Sequence, residues 1–561
     1  MDQDRSGKER FKTARFPYPQ ITSTDWRVSC AAWNIPSESE ILIEHFEREG
    51  WTTLDNIQSM LLGFDTTALV WVAADTLGLL PGKEKQKDPM TSHSPLYSSS
   101  PQVRLHSTGA FNQVYVITFP SATTSATGQS SSLQVVARLP KLDQSLIPPN
   151  KLESVVATMT FSRNCRELPV PKVLTWNPYY DVERNPVLRP YILMEFVPGI
   201  SLLSHWIQLC SQPSGEREKT KEIILNAVAA LHVRLSEPLP SFSGDRSMLG
   251  SIYFDWEQAA QGNLDLRNPN SYCIGALAHG YGPLKKRRYD AISLEPVGPA
   301  EDLPKLWRMC VCNELQMVSR TGVDILDGSP CRDASIDRLK GQAESGLPSN
   351  LGLIHELGIG MERWVDHCPL PSKPSLLSPC FVMDDWAFRN IIVDPSTSTL
   401  CSIVDWDDAY ILPFILSGNY PEDLCPTYVD KGDDHSARWD FLPEDENLLV
   451  MPFPLPDMLR PNENMDQSRK MESHEHVLDW VQMNERIECT IWRRIYREKL
   501  AALDSRFLFS VAIQGTEEAQ DLDGFWEIRQ EPMKVQKLLL YGWQEWIEYR
   551  LLIEKDIKCD S

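Results

Sequence analysis

Residues 381–413 read FVMDDWAFRNIIVDPSTSTLCSIVDWDDAYILP, and this stretch decides the fold. Two short apolar runs, Ile391-Ile392-Val393 and Leu400 to Val404, flank the turn-forming Asp394-Pro395-Ser396-Thr397-Ser398. Apolar runs on either side of such a cluster predict a β-hairpin. Asp384 and Asp385 precede it, Asn390 enters the first strand and Asp405 leaves the second. Antiparallel strands fold their outer ends back alongside each other, so Asn390 and Asp405 are expected to meet.

Asp385 and Asn390 stand in the spacing D-x-x-x-x-N, with Asp405 at the end of the next strand. That is a layout for phosphoryl transfer: one Asp takes the acceptor hydroxyl's proton, while an Asn and a second Asp hold Mg²⁺ against nucleotide phosphates. Hard oxygen donors suit Mg²⁺, and phosphates complete its shell. The spacing by itself also fits a surface hairpin with acidic turns.

The stretch resembles the fungal members of the aminoglycoside phosphotransferase-like (choline-kinase-like) kinases. Their catalytic segment reads H-x-D-L-x-x-x-N-I-L-V-D followed by I-[IV]-D-W. Here the corresponding residues run from Met383-Asp384-Asp385-Trp386 through Asn390-Ile391-Ile392-Val393-Asp394, then Ile403-Val404-Asp405-Trp406. The resemblance implies Asp385 as the catalytic residue, Asn390 and Asp405 as metal ligands, and ATP with Mg²⁺ as cofactors. The family's His, which braces the catalytic loop, is Met383 here.

Upstream, the pattern from Val103 is strand, glycine turn, strand, loop, strand. Gly109-Ala110-Phe111-Asn112 precedes Val114 to Phe119, and a Ser/Thr-rich turn separates these from Leu133 to Leu139. A kinase turn of this kind covers the nucleotide phosphates, and a cation on the third strand pairs with them; a single glycine equally suits an ordinary hairpin. The fungal patterns G-x-F-N-x-V-[FY] and V-x-A-R-[IL]-P match at Gly109, Phe111, Asn112, Val114 and Tyr115, and at Val135, Ala137, Arg138, Leu139 and Pro140. The resemblance thus implies nucleotide contacts by Gly109, Phe111, Asn112 and Arg138. Guanidinium is always charged and forks onto phosphate oxygens.

The helix expected from Lys151 to Arg166 holds a second departure. The family's E-V-A-T-M, whose Glu orients the third-strand cation, is Val155-Val156-Ala157-Thr158-Met159 here. Glu153 lies two residues away, on a different helix face. The segment from Leu168 to Trp176 follows the family's I-P-V-P-K-V-x-x-[WY]. Tyr191 to Gly199, YILMEFVPG, reads as an apolar strand with a Pro-Gly stop, and the resemblance makes it the hinge whose backbone at Met194, Glu195 and Phe196 bonds adenine.

The remainder is mostly helical. Ser201 to Leu209, Thr220 to Leu235, Leu303 to Cys368 (apart from a polar Gly322 to Pro348) and Glu472 to Phe509 carry helical periodicity. His232 is expected to be a core or surface side chain rather than a ligand. Residues 242–288, ending in Lys285-Lys286-Arg287-Arg288, and the Pro- and acid-rich 420–456 read as irregular. The tryptophans near the end, Trp526, Trp543 and Trp546, are expected to pack rather than bind a sugar.

At 561 residues and 42% hydrophobic the chain supports a substantial core. A net charge of −22 argues against a general binder of nucleic acid or anionic membranes, while leaving room for a small local basic pocket. The 13 cysteines include no CxxC pair, which favours reduced thiols over disulfides or zinc. The first residues, MDQDRSGKERFKTAR, contain no apolar core of a secretory signal. No run approaches the ~18 apolar residues of a membrane span. A cytoplasmic location is expected, with a mitochondrial one second.

The expected architecture is an α+β, bilobal, protein-kinase-like fold with a β-rich N-lobe and a helical C-lobe. Its parts are an N-terminal helical extension and linker (1–102), an N-lobe (103–197) and a C-lobe (198–561) carrying the 381–413 hairpin. The expected reaction transfers the γ-phosphoryl group of ATP to a hydroxyl of a small molecule. The competing expectation, motivated by Met383 and Val155, is a pseudokinase that binds nucleotide with little turnover. Neither reading identifies the acceptor or the oligomeric state.

Overall fold

The structure is a computed structural model. It describes residues 33–49, 60–80, 100–109, 111–120, 132–141, 149–240, 248–260, 265–278, 297–321, 365–425 and 488–508, with isolated positions at 242 and between 525 and 539. Two compact units divide the chain: the first runs to Pro198 and takes in Ile252–Cys273, and the second begins at Gly199.

The first unit is built on a five-stranded antiparallel sheet. Strands β1 (Gln102–Thr108), β2 (Asn112–Phe119), β3 (Leu133–Pro140), β4 (Val173–Asn177) and β5 (Tyr191–Glu195) lie in the order β1-β2-β3-β5-β4. Side chains alternate across a strand. Tyr115, Ile117 and Phe119 of β2 therefore share one face with Val135, Ala137 and Leu139 of β3 and Leu193 of β5, all buried in one cluster. Val116, Arg138, Ile192 and Met194 alternate onto the other face. Between β3 and β4 runs helix α3 (Pro149–Asn164).

That buried cluster is completed by two earlier helices, α1 (Glu38–Arg48) and α2 (Thr66–Thr76). Ser37 and Glu40 close a capping box at the start of α1, as the Ser-x-x-Glu spacing dictates. The Glu38 carboxylate is buried and accepts from the backbone amides of Leu62 at 2.5 Å and Gly63 at 2.8 Å. Helix α2 is capped by Asp65, which accepts from Ala68 N at 2.9 Å. It is apolar almost all round, with Ala68, Leu69, Val70, Val72, Ala73 and Ala74 buried, the pattern of an enclosed helix. Each buried Leu and Val side chain here contributes about 1.5–3 kcal/mol. The N-terminal helices and the sheet thus share one core.

In the second unit, the short strand β6 (Ile200–Ser201) leads into α4 (Leu202–Leu209) and α5 (Ser214–Leu235). Strands β7 (Ser251–Phe254) and β8 (Tyr272–Gly275), which lie largely in the Ile252–Cys273 segment of the first unit, pair within a stretch expected to be irregular; four-residue strands are too short for periodicity to reveal. Helix α6 spans Leu303–Thr321, and residues 488–503 are helical. Four more strands follow in chain order: β9 (Pro379–Met383), β10 (Ile391–Asp394), β11 (Thr399–Ile403) and β12 (Ala409–Pro413). β10 pairs with β11 on one side and β6 on the other, while β9 pairs with β12. The basic cluster 285–288, the polar 322–348, most of 420–456, Trp543 and Trp546 lie outside the described residues.

The β-rich first part and helical second part of the expected α+β fold are both present. No described helix is long and apolar enough to cross a membrane, and no disulfide joins the described cysteines.

Candidate active site

The hairpin forms where expected, with its second strand one residue earlier. Ile391 faces Ile403, Ile392 faces Ser402, and Asp394 faces Thr399. The turn is held by the Asp394 carboxylate, which accepts from Ser396 N at 2.9 Å, Ser396 Oγ at 2.7 Å and Thr397 Oγ1 at 3.1 Å. Ser398 takes the left-handed conformation that closes it. Asx geometry of this kind is why Asp, Pro, Ser and Thr predicted a turn.

Two ladders then bring the polar residues together. At the open end of the hairpin, Val404 N donates to Asn390 O at 2.8 Å, which sets Asp405 beside Asn390. In the second ladder, Met383 faces Ala409 and Asp384 N donates to Asp408 O at 3.0 Å. The loop 384–390 and the loop 404–408 are therefore held alongside each other. Asn390 Nδ2 donates to Asp385 at both its backbone O and its Oδ2, each at 3.0 Å. Arg389 donates to Asp385 Oδ1. Burial pushes the Asp385 carboxyl above the ordinary carboxylate range; Asn390 and Arg389 oppose that shift, and the charges of Asp405 and Glu422 add to it. Asp405 sits at φ 59°, a left-handed conformation that Asp tolerates better than most residues and that is stored at functional sites.

This donor set fits Mg²⁺. Asn390 and Asp405 are hard oxygen donors on adjoining backbone. Because the Asn390 amide nitrogen is committed to Asp385, its Oδ1 is the atom left to face a cation. Among the described residues no group of three or more His, Cys, Asp or Glu forms a metal cluster.

The residues expected to meet the nucleotide all lie in the first unit. Gly109 N donates to Asn112 O at 2.9 Å, closing the turn; Phe111, at its tip, is 53% exposed. Lys141 clamps the turn from below, its backbone N donating to Phe111 O at 2.8 Å and its Nζ to Gly109 O at 2.5 Å. The sequence reading did not single out Lys141, which follows the matched motif by one residue. Arg138 is buried on β3. With the Asn112 amide turned so that its oxygen faces the guanidinium, it accepts from Arg138 Nη2 at 2.6 Å. Val155 is buried, and Glu153 accepts from the Trp256 indole at 2.6 Å. Burial pushes the Glu153 carboxyl up to about 7.

At the expected hinge, Met194 lies in the ladders to both β3 and β4. Glu195 N donates to Lys172 O at 2.9 Å, and the Glu195 carboxylate takes Arg163 at 2.6 Å and Lys172 N at 2.8 Å. Phe196 is the first residue past the strand.

Further residues reach the Asp385 loop that the sequence did not mark. His232, expected as a core or surface side chain, is buried on α5. Its Nε2 donates to Ser417 O at 2.6 Å, since a carbonyl only accepts. Its Nδ1 therefore accepts from Tyr496 Oη at 2.7 Å, and that oxygen accepts from Trp386 Nε1 at 3.2 Å. Burial pushes the imidazole down to about 4, which keeps this chain of donors in the neutral tautomer. A lone His on an apolar helix carries no local signal for such a contact.

The sheet order, the helix between its third and fourth strands, and the two-ladder site decide the architecture. The fold is protein-kinase-like. No family model matches the chain. Among curated proteins it is similar to altered inheritance of mitochondria protein 9, mitochondrial, of Meyerozyma guilliermondii, at 28% identity over 339 residues, covering 56% of this chain and 52% of that protein. It is also similar to a subtelomeric hrmA-associated cluster protein of Aspergillus fumigatus, at 24% identity over 371 residues, covering 62% of this chain and 64% of that protein. The chain thus matches between half and two thirds of these relatives' length. Among solved structures, Plasmodium vivax ethanolamine kinase aligns at 12% identity with a TM-score of 0.33, covering 90% of this chain and 96% of that one. APH(2″)-IIIa in its complex with GDP and kanamycin aligns at 11% identity with a TM-score of 0.26, covering 78% and 94%. Such low TM-scores add nothing to an architecture that rests on element order.

Proposed function

We propose that the chain is an ATP- and Mg²⁺-dependent phosphotransferase that phosphorylates a hydroxyl of a small molecule. The observation that carries this reading is the convergence of Asp385, Asn390 and Asp405 through two separate ladders, with Asp405 in a left-handed conformation. Asp385 orients the acceptor hydroxyl and takes its proton. Asn390 and Asp405 hold Mg²⁺, which when bound supplies charge neutralisation at the phosphates. Arg138, placed by Asn112, pairs with phosphate oxygens, and the Gly109 turn with Phe111 covers them. Backbone groups around Met194, Glu195 and Phe196 take adenine. In this reading catalysis is mainly positioning and electrostatics.

A second reading, a nucleotide-binding protein with little turnover, is favoured by one observation: the acid nearest the missing family Glu is engaged by Trp256. Calorimetric titration with ATP, with and without Mg²⁺, comes first, followed by a metabolite-extract screen for phosphate transfer beside an Asp385→Ala control. Mg²⁺-dependent binding with transfer in wild type alone supports the enzyme; binding without transfer supports the second reading; absence of binding sinks both. The relatives named as mitochondrial favour the mitochondrial compartment, second in the expectation above, and organelle fractionation tests it.

A further inference from the structure

We propose that residues 417–425 brace the catalytic loop in place of the family's His, and that Arg389 and Glu422 set the orientation of the Asp385 carboxylate. The functional half of this inference rests on the phosphotransferase reading.

Met383 is a buried strand residue opposite Ala409. A thioether is at most a weak acceptor, so Met383 does not tie down the loop as an imidazole would. Yet the loop is irregular and enclosed: Trp386, Ala387 and Phe388 are all buried. Buried backbone groups outside regular structure need partners from elsewhere. Several of them are supplied by one segment more than thirty residues on. Glu422 N donates to Trp386 O at 2.9 Å. Phe388 N donates to the Asp423 carboxylate at 2.5 Å. Asn419 Nδ2 donates to Met383 O at 3.4 Å, reaching the backbone of the very residue that replaces the His. The segment is itself anchored where His232 donates to Ser417 O at 2.6 Å.

The side chains add a charged end to this brace. Arg389 gives Nη1 to Glu422 and Nη2 to Asp385 Oδ1, so one planar guanidinium is divided between two carboxylates. Asn390 holds the other oxygen of Asp385 at 3.0 Å. Gripped at both oxygens, the carboxylate has its plane fixed. Glu422 keeps Arg389 from closing on Asp385 in a two-pronged pair, which would occupy the base it positions. Arg389 and Glu422 are thus positioning residues.

The test uses the full chain and the variants Glu422→Gln, Asp423→Asn, Arg389→Met and the conservative Glu422→Asp. Hydrogen exchange by mass spectrometry reads peptides across 384–392 and, as reference, β1–β3. Losing a charged acceptor should speed exchange at 386–390 about 10- to 100-fold in Asp423→Asn and Glu422→Gln, with the reference strands unchanged. Glu422→Gln combined with Arg389→Met should do no more than Arg389→Met alone at this site, because losing the guanidinium already breaks its bridge to Glu422. In Mg²⁺-dependent ATP hydrolysis, Glu422→Gln should lower kcat about 10- to 100-fold at little change in the KM for ATP, and Glu422→Asp should recover part of it. Unchanged exchange at 386–390 in both Asp423→Asn and Glu422→Gln overturns the brace, as does equal loosening of the reference strands. Altered exchange with unchanged kcat overturns the positioning role. A wild type that binds no Mg²⁺·ATP removes the phosphotransferase reading, while the exchange result still decides the brace.

Discussion

Asp385 is held by the Asn390 amide and the Arg389 guanidinium, while burial and the neighbouring Asp405 and Glu422 carboxylates push its carboxyl upward. That arrangement suits a group that must stay ionised yet accept a proton. Asp385→Asn keeps the size and the hydrogen bond to an acceptor hydroxyl but removes the charge. It is expected to lower kcat by ~10²–10⁴-fold with little effect on nucleotide Kd. Asp405→Ala should instead weaken ATP binding in Mg²⁺ and leave it unchanged without metal. Asp384, whose backbone pairs with Asp408, is the control. Measuring kcat and Kd for all three variants checks the assignment; an inactive Asp384 variant beside an active Asp385 variant would mean the loop is read one residue out of register.

At the scale of elements, the hairpin depends on how closely β6 approaches it. Gly199 lies at φ 143°, where a Cβ would come within 2.5 Å of Val393 O and 2.8 Å of Ile392 Cγ2. Gly199→Ala should therefore push β6 off β10 and destabilise the second unit by about 1–3 kcal/mol, measured as a lower denaturation midpoint. In the first unit, Leu69 of α2 is fully buried against the sheet. Leu69→Ala should cost about 2–5 kcal/mol; a loss under 0.5 kcal/mol would show that the N-terminal helices are not part of that core. The hairpin, its turn and the alternating strands β2 and β3 were legible because each is a local pattern. The pairing of β9 with β12, the β7–β8 pair and the burial of α2 beneath the sheet were not, because each joins residues far apart in the chain.

Across the whole molecule, the two units should respond to pH in opposite senses. In the first, Glu153 is pushed up to about 7 by burial, from 4.5. The folded state then holds a proton the unfolded state has released, so stability present below pH 4.5 is lost as pH rises to 7, by on the order of 3 kcal/mol. In the second, His232 is pushed down to about 4 by burial, from 6.5. There the unfolded state binds the extra proton, so stability is lost as pH falls from 6.5 to 4, by a similar amount. Denaturation followed between pH 4 and 7.5 checks both signs. Glu153→Gln should flatten the first slope and His232→Gln the second; slopes that survive these changes would assign the linkage to other groups.

The sequence by itself determined the strands β2, β3 and β5, the β10–β11 hairpin, and the placing of Asp385, Asn390 and Asp405 along that short stretch. Spacing along one short stretch contains that information, because turn chemistry and strand alternation act over a few residues. Only the tertiary structure decided what holds the set in place. Asp423 on Phe388, Glu422 on Arg389 and the run from His232 through Tyr496 to Trp386 each close a gap of dozens to hundreds of residues. Nothing local marks those residues, since their partners are chosen by the burial of a loop whose backbone must be satisfied from outside itself.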